Sequence, residues 1–276
     1  MREDMNMEYV TGAGTRMPIL GLGTWQMHGE SCRQAVLSAM DMGYRHIDTA
    51  QMYRNEDVIG AALHESEISP DDVFITTKIL SSNLAPSDLI QSFRESLRKL
   101  QTDYVDLLLI HSPSPTVPIP ESIDAMNQLQ SEGVVRHIGV SNFSVDQTKE
   151  AEAASEYPIV TNQVQYHPFH SQTEVLKYCI ENDKILTAYT PLAKGRVASD
   201  STLREIGESH DKTGAQIALR WLIQQEQVCV IPKAADPHHL RENLEIFDFR
   251  LSSEEMERIF DLQSGLIGRL RSLLNL

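Results

Sequence analysis

An eight-stranded parallel β/α barrel is the fold this sequence predicts, and three observations carry that expectation. Apolar runs begin near Ile19, His46, Phe74, Val105, Val135, Ile159, Ile185 and Val228, the first seven spaced by 24 to 31 residues. Each interval suits one strand, one crossover helix and a loop. Runs such as D-L-L-L-I at 106–110 are almost continuously apolar, as strands covered on both faces are. Helical patterns fill the gaps. Eight even units favour a closed barrel over a doubly wound sheet.

The elements follow in order. Ahead of the first run, M-E-Y-V-T-G-A-G-T-R-M-P-I at 7–19 reads as a small hairpin turning at residues 12–14 and plugging the barrel bottom. Helices are expected over residues 32–42, 56–66, 86–100, 120–132, 145–155 and 172–182. Pro86, Pro120 and Pro237 each stand where a first helical turn tolerates a missing N–H. The longer gap from 185 to 228 holds two helical stretches, 202–210 and 214–224. A short helix at 237–244 and another at 253–262 follow the eighth run, the last capped by Ser252 with Glu255 three residues on. No linker or low-complexity segment divides the chain, so residues 1–276 are expected to form one domain.

Composition excludes several classes of function. A chain of 276 residues buries roughly three quarters of its unfolded surface and needs neither disulfides nor a structural metal. The formal charge of −15, from 39 acidic and 24 basic side chains, argues against nucleic acid or anionic membrane as a main partner. Cys32, Cys179 and Cys229 lack C-x-x-C spacing and read as small buried residues in a reducing compartment. The opening M-R-E-D-M-N-M-E has no apolar core, so no signal peptide is expected, and no run approaches the length of a membrane span. The expected location is the cytoplasm. His111, His137, His167 and His170 form no short ligand motif, so no metal is expected.

Four ionisable side chains, Asp48, Tyr53, Lys78 and His111, fall at or just past the ends of three successive strand runs. A carboxylate, a phenol, an amine and an imidazole delivered to the carboxyl face of a parallel barrel look like one site. Buried charges are costly unless paired, and proton chemistry is the reason to group them. Each has an ordinary structural reading: Asp48 as a cap or ion-pair partner, Tyr53 as a rim aromatic, Lys78 as a snorkelling strand end, His111 as a core histidine.

The chain resembles the aldo-keto reductase family over nearly its full length. The stretches that carry the resemblance are G-L-G-T-W at 21–25, G-Y-R-H-I-D-T-A-x-x-Y at 43–53, F-I-T-T-K at 74–78 and Y-V-D-L-L-L-I-H at 104–111. I-G-V-S-N-F at 138–143, N-Q-V-Q-Y-H-P at 162–168, Y-T-P-L-A-K-G at 189–195, I-P-K at 231–233 and E-N at 242–243 complete the set. Within the family it is most similar to the small bacterial 2,5-didehydrogluconate reductases, which also act on methylglyoxal. The resemblance implies a (β/α)8 barrel that reduces aldehydes, ketones or keto-sugars with NADPH, or less often NADH, and without a Rossmann unit. It agrees with the lack of a G-x-G-x-x-G after any strand run.

On that reading Tyr53 supplies the proton to the carbonyl oxygen, Lys78 lowers the pKa of the phenol, Asp48 holds Lys78, and His111 orients the substrate. Ser141, Asn142 and Gln163 are expected at the nicotinamide carboxamide, with Tyr189 stacked under the ring. Leu192 and Gly195 are expected against the pyrophosphate; Lys233, His239 and Asn243 near the adenosine end. The family commonly has a hydroxyl residue after the lysine and an arginine on the next short helix, where this chain has Ala234 and His239. A bidentate guanidinium is lost, so weaker discrimination between NADPH and NADH is expected. Trp25, with Met52 and Phe143, is expected to wall the substrate, and Ser112 stands where many relatives carry Trp, leaving the pocket wider or more polar. The tail at 266–276 suits an amphipathic lid, a surface helix or a dimer contact; a monomer is expected, with a dimer as the alternative. Two rivals are a Schiff-base enzyme using Lys78, which Asp48 argues against, and a non-catalytic barrel that senses nucleotide.

Overall fold

The strands run in sequence order around a barrel. The computed structural model describes residues 7–264; the tail at 266–276 lies outside them. β1 (Tyr9–Gly12) and β2 (Thr15–Pro18) pair antiparallel with Tyr9 opposite Pro18. Eight parallel strands follow: β3 (Leu22–Gly23), β4 (His46–Asp48), β5 (Phe74–Ile79), β6 (Val105–Ile110), β7 (Val135–Ser141), β8 (Ile159–Gln165), β9 (Ile185–Tyr189) and β10 (Val228–Ile231). A parallel bridge between Leu20 and Val230 closes the ring, tied by Gly21 N–H to Val230 O at 2.8 Å and Val230 N–H to Ile19 O at 2.9 Å. Gly23 is required at this seam, because a Cβ there would stand 2.5 Å from the Ile231 carbonyl oxygen.

The expected strand starts coincide with the observed ones except the first, which begins at Leu22 and not Ile19. The Ile19 N–H is taken by the Glu8 carbonyl at 3.0 Å, so that stretch belongs partly to the hairpin. The hairpin does sit at the amino end of the barrel. Ala13 N–H donates to Asp183 just before β9, and Thr15 Oγ1 lies 3.0 Å from His137 Nδ1.

The helices are α1 (Gly29–Asp41), α2 (Glu56–Glu65), α3 (Pro86–Leu100), α4 (Ile119–Ser131), α5 (Val145–Ala154), α6 (Thr173–Glu181), α7 (Ser201–His210), α8 (Gly214–Ile223), α9 (Pro237–Leu244) and α10 (Ser253–Phe260). Each starts within three residues of its expected position. Ser144 with Gln147, Thr213 with Gln216, and Ser252 with Glu255 form reciprocal caps that fix where α5, α8 and α10 begin. Every residue of β6 is buried, as a strand packed on both faces must be. No helix among the described residues is long and apolar enough to cross a membrane.

Candidate active site

Side chains alternate along β5, and that alternation places the lysine. Thr77 turns out toward the helices and donates to Glu56 Oε1 on α2 at 2.6 Å. Lys78 therefore turns inward. Its Nζ meets Asp48 Oδ1 at 2.5 Å, the Thr49 carbonyl oxygen at 2.9 Å and Tyr53 Oη at 3.3 Å. Asp48 ends β4, Tyr53 ends a short 3-10 turn that follows it, and His111 comes directly after β6. The Tyr53 and His111 rings meet edge to face at 5.7 Å between centroids. Three strands thus deliver the four groups to one spot.

Burial sets their protonation. It would by itself pull the Lys78 amine down, but Asp48 and Tyr53 together more than offset it, and the amine stays above its ordinary pKa. Burial likewise pushes the Tyr53 phenol above its ordinary value, and the pull of Lys78 recovers only part of that rise. This corrects the expectation that Lys78 makes Tyr53 more acidic on balance: the lysine acts in that direction, but desolvation is larger. His111 is pushed down to about 4, by burial first and then by Lys78. It is a neutral imidazole at pH 7. Its buried Nδ1 has no hydrogen-bond partner among the described residues.

Asp48, Tyr53 and His111 open onto a cavity of about 970 Å3, with Lys78 buried beneath them. The same cavity is lined by Trp25, Ser141, Asn142, Gln163 and Tyr189, and farther along by Leu192, Gly195, Lys233, His239 and Asn243. Ser141 Oγ donates to the Gln163 carbonyl at 2.8 Å, while the cap of α5 is Ser144. Asn142 takes a left-handed φ of 59° and donates to the His111 carbonyl; Tyr189 Oη donates to Asn142 Oδ1 at 2.9 Å. Gln163 is also tied to the tetrad, because its Nε2 donates to Asp48 Oδ2 at 2.7 Å. Phe143 does not wall this cavity. The turn at Asn142 sends it into the core, where it borders a shallower depression of about 400 Å3.

The lining also holds Ser81 and Lys194, which no local pattern singled out. Ser81 Oγ meets Ser112 Oγ at 2.6 Å across the substrate end. Lys194 lines the middle and lies 5.6 Å over the Trp25 ring. Its signal was a cation in an acidic chain, inside a run already assigned to the pyrophosphate. Behind the lining, buried Asn55 donates to the carbonyls of Thr24 and Met27 and accepts from Thr49 Oγ1, pinning the loop that carries Trp25.

The cavity has the size and chemistry to hold a nicotinamide dinucleotide. Its volume is at the upper end of the roughly 300–1,000 Å3 of small-molecule sites. Hydroxyl and amide groups stand beside the tetrad, and two lysines and a histidine lie farther out. Gly195, at φ +87°, occupies a conformation that side chains rarely adopt.

A barrel with this mouth is that of an NAD(P)H-dependent oxidoreductase acting on carbonyl compounds. Residues 19–263 match the model of the Aldo/keto reductase family, and the chain belongs to that family. It is 38% identical over 247 residues to the glyoxal reductase of Bacillus subtilis (strain 168), covering 89% of each chain. It is 39% identical over 249 residues to the methylglyoxal reductase DkgB of Yersinia pestis, covering 89% of this chain and 93% of that one. A crystal structure of a candidate 2,5-diketo-D-gluconic acid reductase B superposes with a TM-score of 0.93 at 46% identity, over 96% of this chain and 94% of the other.

Proposed function

We propose that the protein reduces small polar carbonyl compounds, 2-oxo aldehydes such as methylglyoxal and open-chain keto-sugars, using either NADPH or NADH. The observation that carries the chemistry is the Lys78 ammonium set between Asp48 and the Tyr53 hydroxyl at the cavity floor. The bound reduced nicotinamide supplies a hydride to the carbonyl carbon. Tyr53 gives its proton to the carbonyl oxygen; an alkoxide is a much stronger base than a phenolate, so a phenol of raised pKa still serves as the acid. Lys78 stabilises the phenolate left behind, and Asp48 fixes and compensates Lys78. His111 donates to the same oxygen and orients it. Ser141, Asn142 and Gln163 position the carboxamide, Tyr189 supports the ring, and Leu192 and Gly195 admit the pyrophosphate. Lys233, His239 and Asn243 meet the adenosine end. One chain supplies every group, so a monomer suffices.

The substrate class rests on the far wall. The paired hydroxyls of Ser81 and Ser112 offer hydrogen bonds to a second oxygen near the reacting carbon. Trp25 and Met52 are the large apolar residues at that end, and both are partly exposed. The names of the glyoxal and methylglyoxal reductases support this reading. Dual use of cofactor is supported by His239, an exposed imidazole beside Glu242 at 2.8 Å, in place of a guanidinium.

The test follows absorbance at 340 nm with each reduced nicotinamide against methylglyoxal, a keto-sugar and an aromatic aldehyde. Turnover on the first two with both nucleotides is expected. A preference for the aromatic aldehyde overturns the substrate class, and a ratio of kcat/KM above about a hundred for NADPH over NADH, roughly 3 kcal/mol, overturns dual use. No turnover with any pair overturns the reductase reading in favour of a nucleotide-sensing barrel.

A further inference from the structure

Two imidazoles and a carboxylate converge in the first turns of α9. His238 Nδ1 lies 3.3 Å and His239 Nδ1 2.8 Å from the same oxygen, Glu242 Oε2, and the three ligand atoms all lie within 4.8 Å of one another. Helical spacing produces this, since positions four and three residues before Glu242 stand one turn below it. The turn is held firmly: Pro237 is the first helical residue, and Asp236 caps it by accepting the His238 N–H at 2.8 Å. Both rings are largely exposed, 74% and 66%, so an ion can reach them.

We infer that His238, His239 and Glu242 form a site for a divalent transition ion, and that an ion there raises the preference for the phosphorylated dinucleotide. Zinc bound at about 2.0 Å to tetrahedral ligands sets those ligands about 3.3 Å apart. The observed separations from Glu242 are 3.3 and 2.8 Å, and small side-chain rotations complete the set. Imidazole and carboxylate suit such ions. The positive end of α9 opposes a cation, and the carboxylates of Glu242 and Asp236 offset it. Three protein ligands leave one position open. His239 and Glu242 line the cavity, so an ion held by them would border it. The second step rests on the placement of the adenosine ribose near Lys233 and His239. A ribose phosphate can offer an anionic oxygen to that position; an unphosphorylated ribose offers only hydroxyls.

Calorimetric titration of the nucleotide-free protein with zinc chloride, in phosphate-free buffer, tests the site alone. One ion per chain is expected, and His238→Ala should abolish it. No uptake, or uptake unchanged in His238→Ala, overturns the site. Nicotinamide fluorescence then gives Kd for NADPH and NADH with and without zinc. The Kd ratio should move toward NADPH by about fivefold or more in the wild type and stay still in His238→Ala, whose zinc-free affinities match the wild type. A ratio unmoved by bound zinc overturns the coupling. Failure of both nucleotides to bind overturns the oxidoreductase reading, while calorimetry still decides the zinc site.

Discussion

The two ends of the cavity are built to different tolerances. At the inner end Lys78 and Asp48 are each about 1% exposed, and the ammonium has three partners within 3.3 Å. Removing a partner there would leave a charge buried and alone. At the outer end Lys233 is exposed and donates to the carbonyl of Gln26 at 3.2 Å, while His239 is 66% exposed. The proposed chemistry therefore rests on buried, mutually paired groups, and the proposed nucleotide choice on exposed ones whose replacement leaves no buried charge unpaired.

The largest expected effect breaks the inner end without unfolding it. Tyr53→Phe removes one hydroxyl and leaves the ring packed on His111, and Lys78 keeps Asp48 and the Thr49 carbonyl. Steady-state kinetics should show kcat down by more than about a hundredfold, with the Kd for NADPH nearly unchanged. Retained turnover would mean that Tyr53 is not the acid.

A smaller effect separates the two ends by pH. His46 lies two residues before Asp48 on β4, is about 1% exposed, and bonds Thr76 Oγ1 through Nε2 at 3.1 Å. Burial pushes its pKa from 6.5 down to about 4. The unfolded chain then takes the proton more readily than the folded one. Stability from this group is whole above about pH 6.5 and falls as the pH drops toward 4, by about 2 kcal/mol at pH 5. Urea unfolding of His46→Asn should start from a lower stability but decline less steeply over that window. An equal slope would show that the inner end is not acid-sensitive through His46.

Much of this was legible in the sequence because barrels repeat. Strand runs, first-turn prolines and the Ser252–Glu255 cap are local signals, and local signals place elements well. The tetrad was legible for the same reason: its members are tied to strand ends. What stayed hidden depends on distance in sequence. Gln163 bonds Asp48 across 115 positions and Ser81 bonds Ser112 across 31, and neither pairing leaves a trace in its own neighbourhood. The direction of the Tyr53 shift was missed because the charge beside the phenol can be read from residue types, while the depth of its burial cannot.

The smallest effect sharpens the outer end. His239→Arg places a guanidinium where the ribose phosphate is proposed to lie, on an exposed helical turn that should fold unchanged. Glu242, 2.8 Å from the present imidazole, will claim part of the new charge, so the gain should fall short of a free bidentate pair. Fluorescence titration should show NADPH binding about tenfold tighter, near 1.4 kcal/mol, with NADH unchanged. Equal tightening of both nucleotides would place residue 239 near a group they share, such as the pyrophosphate. No change in either would put the adenosine end elsewhere and remove the basis for dual cofactor use.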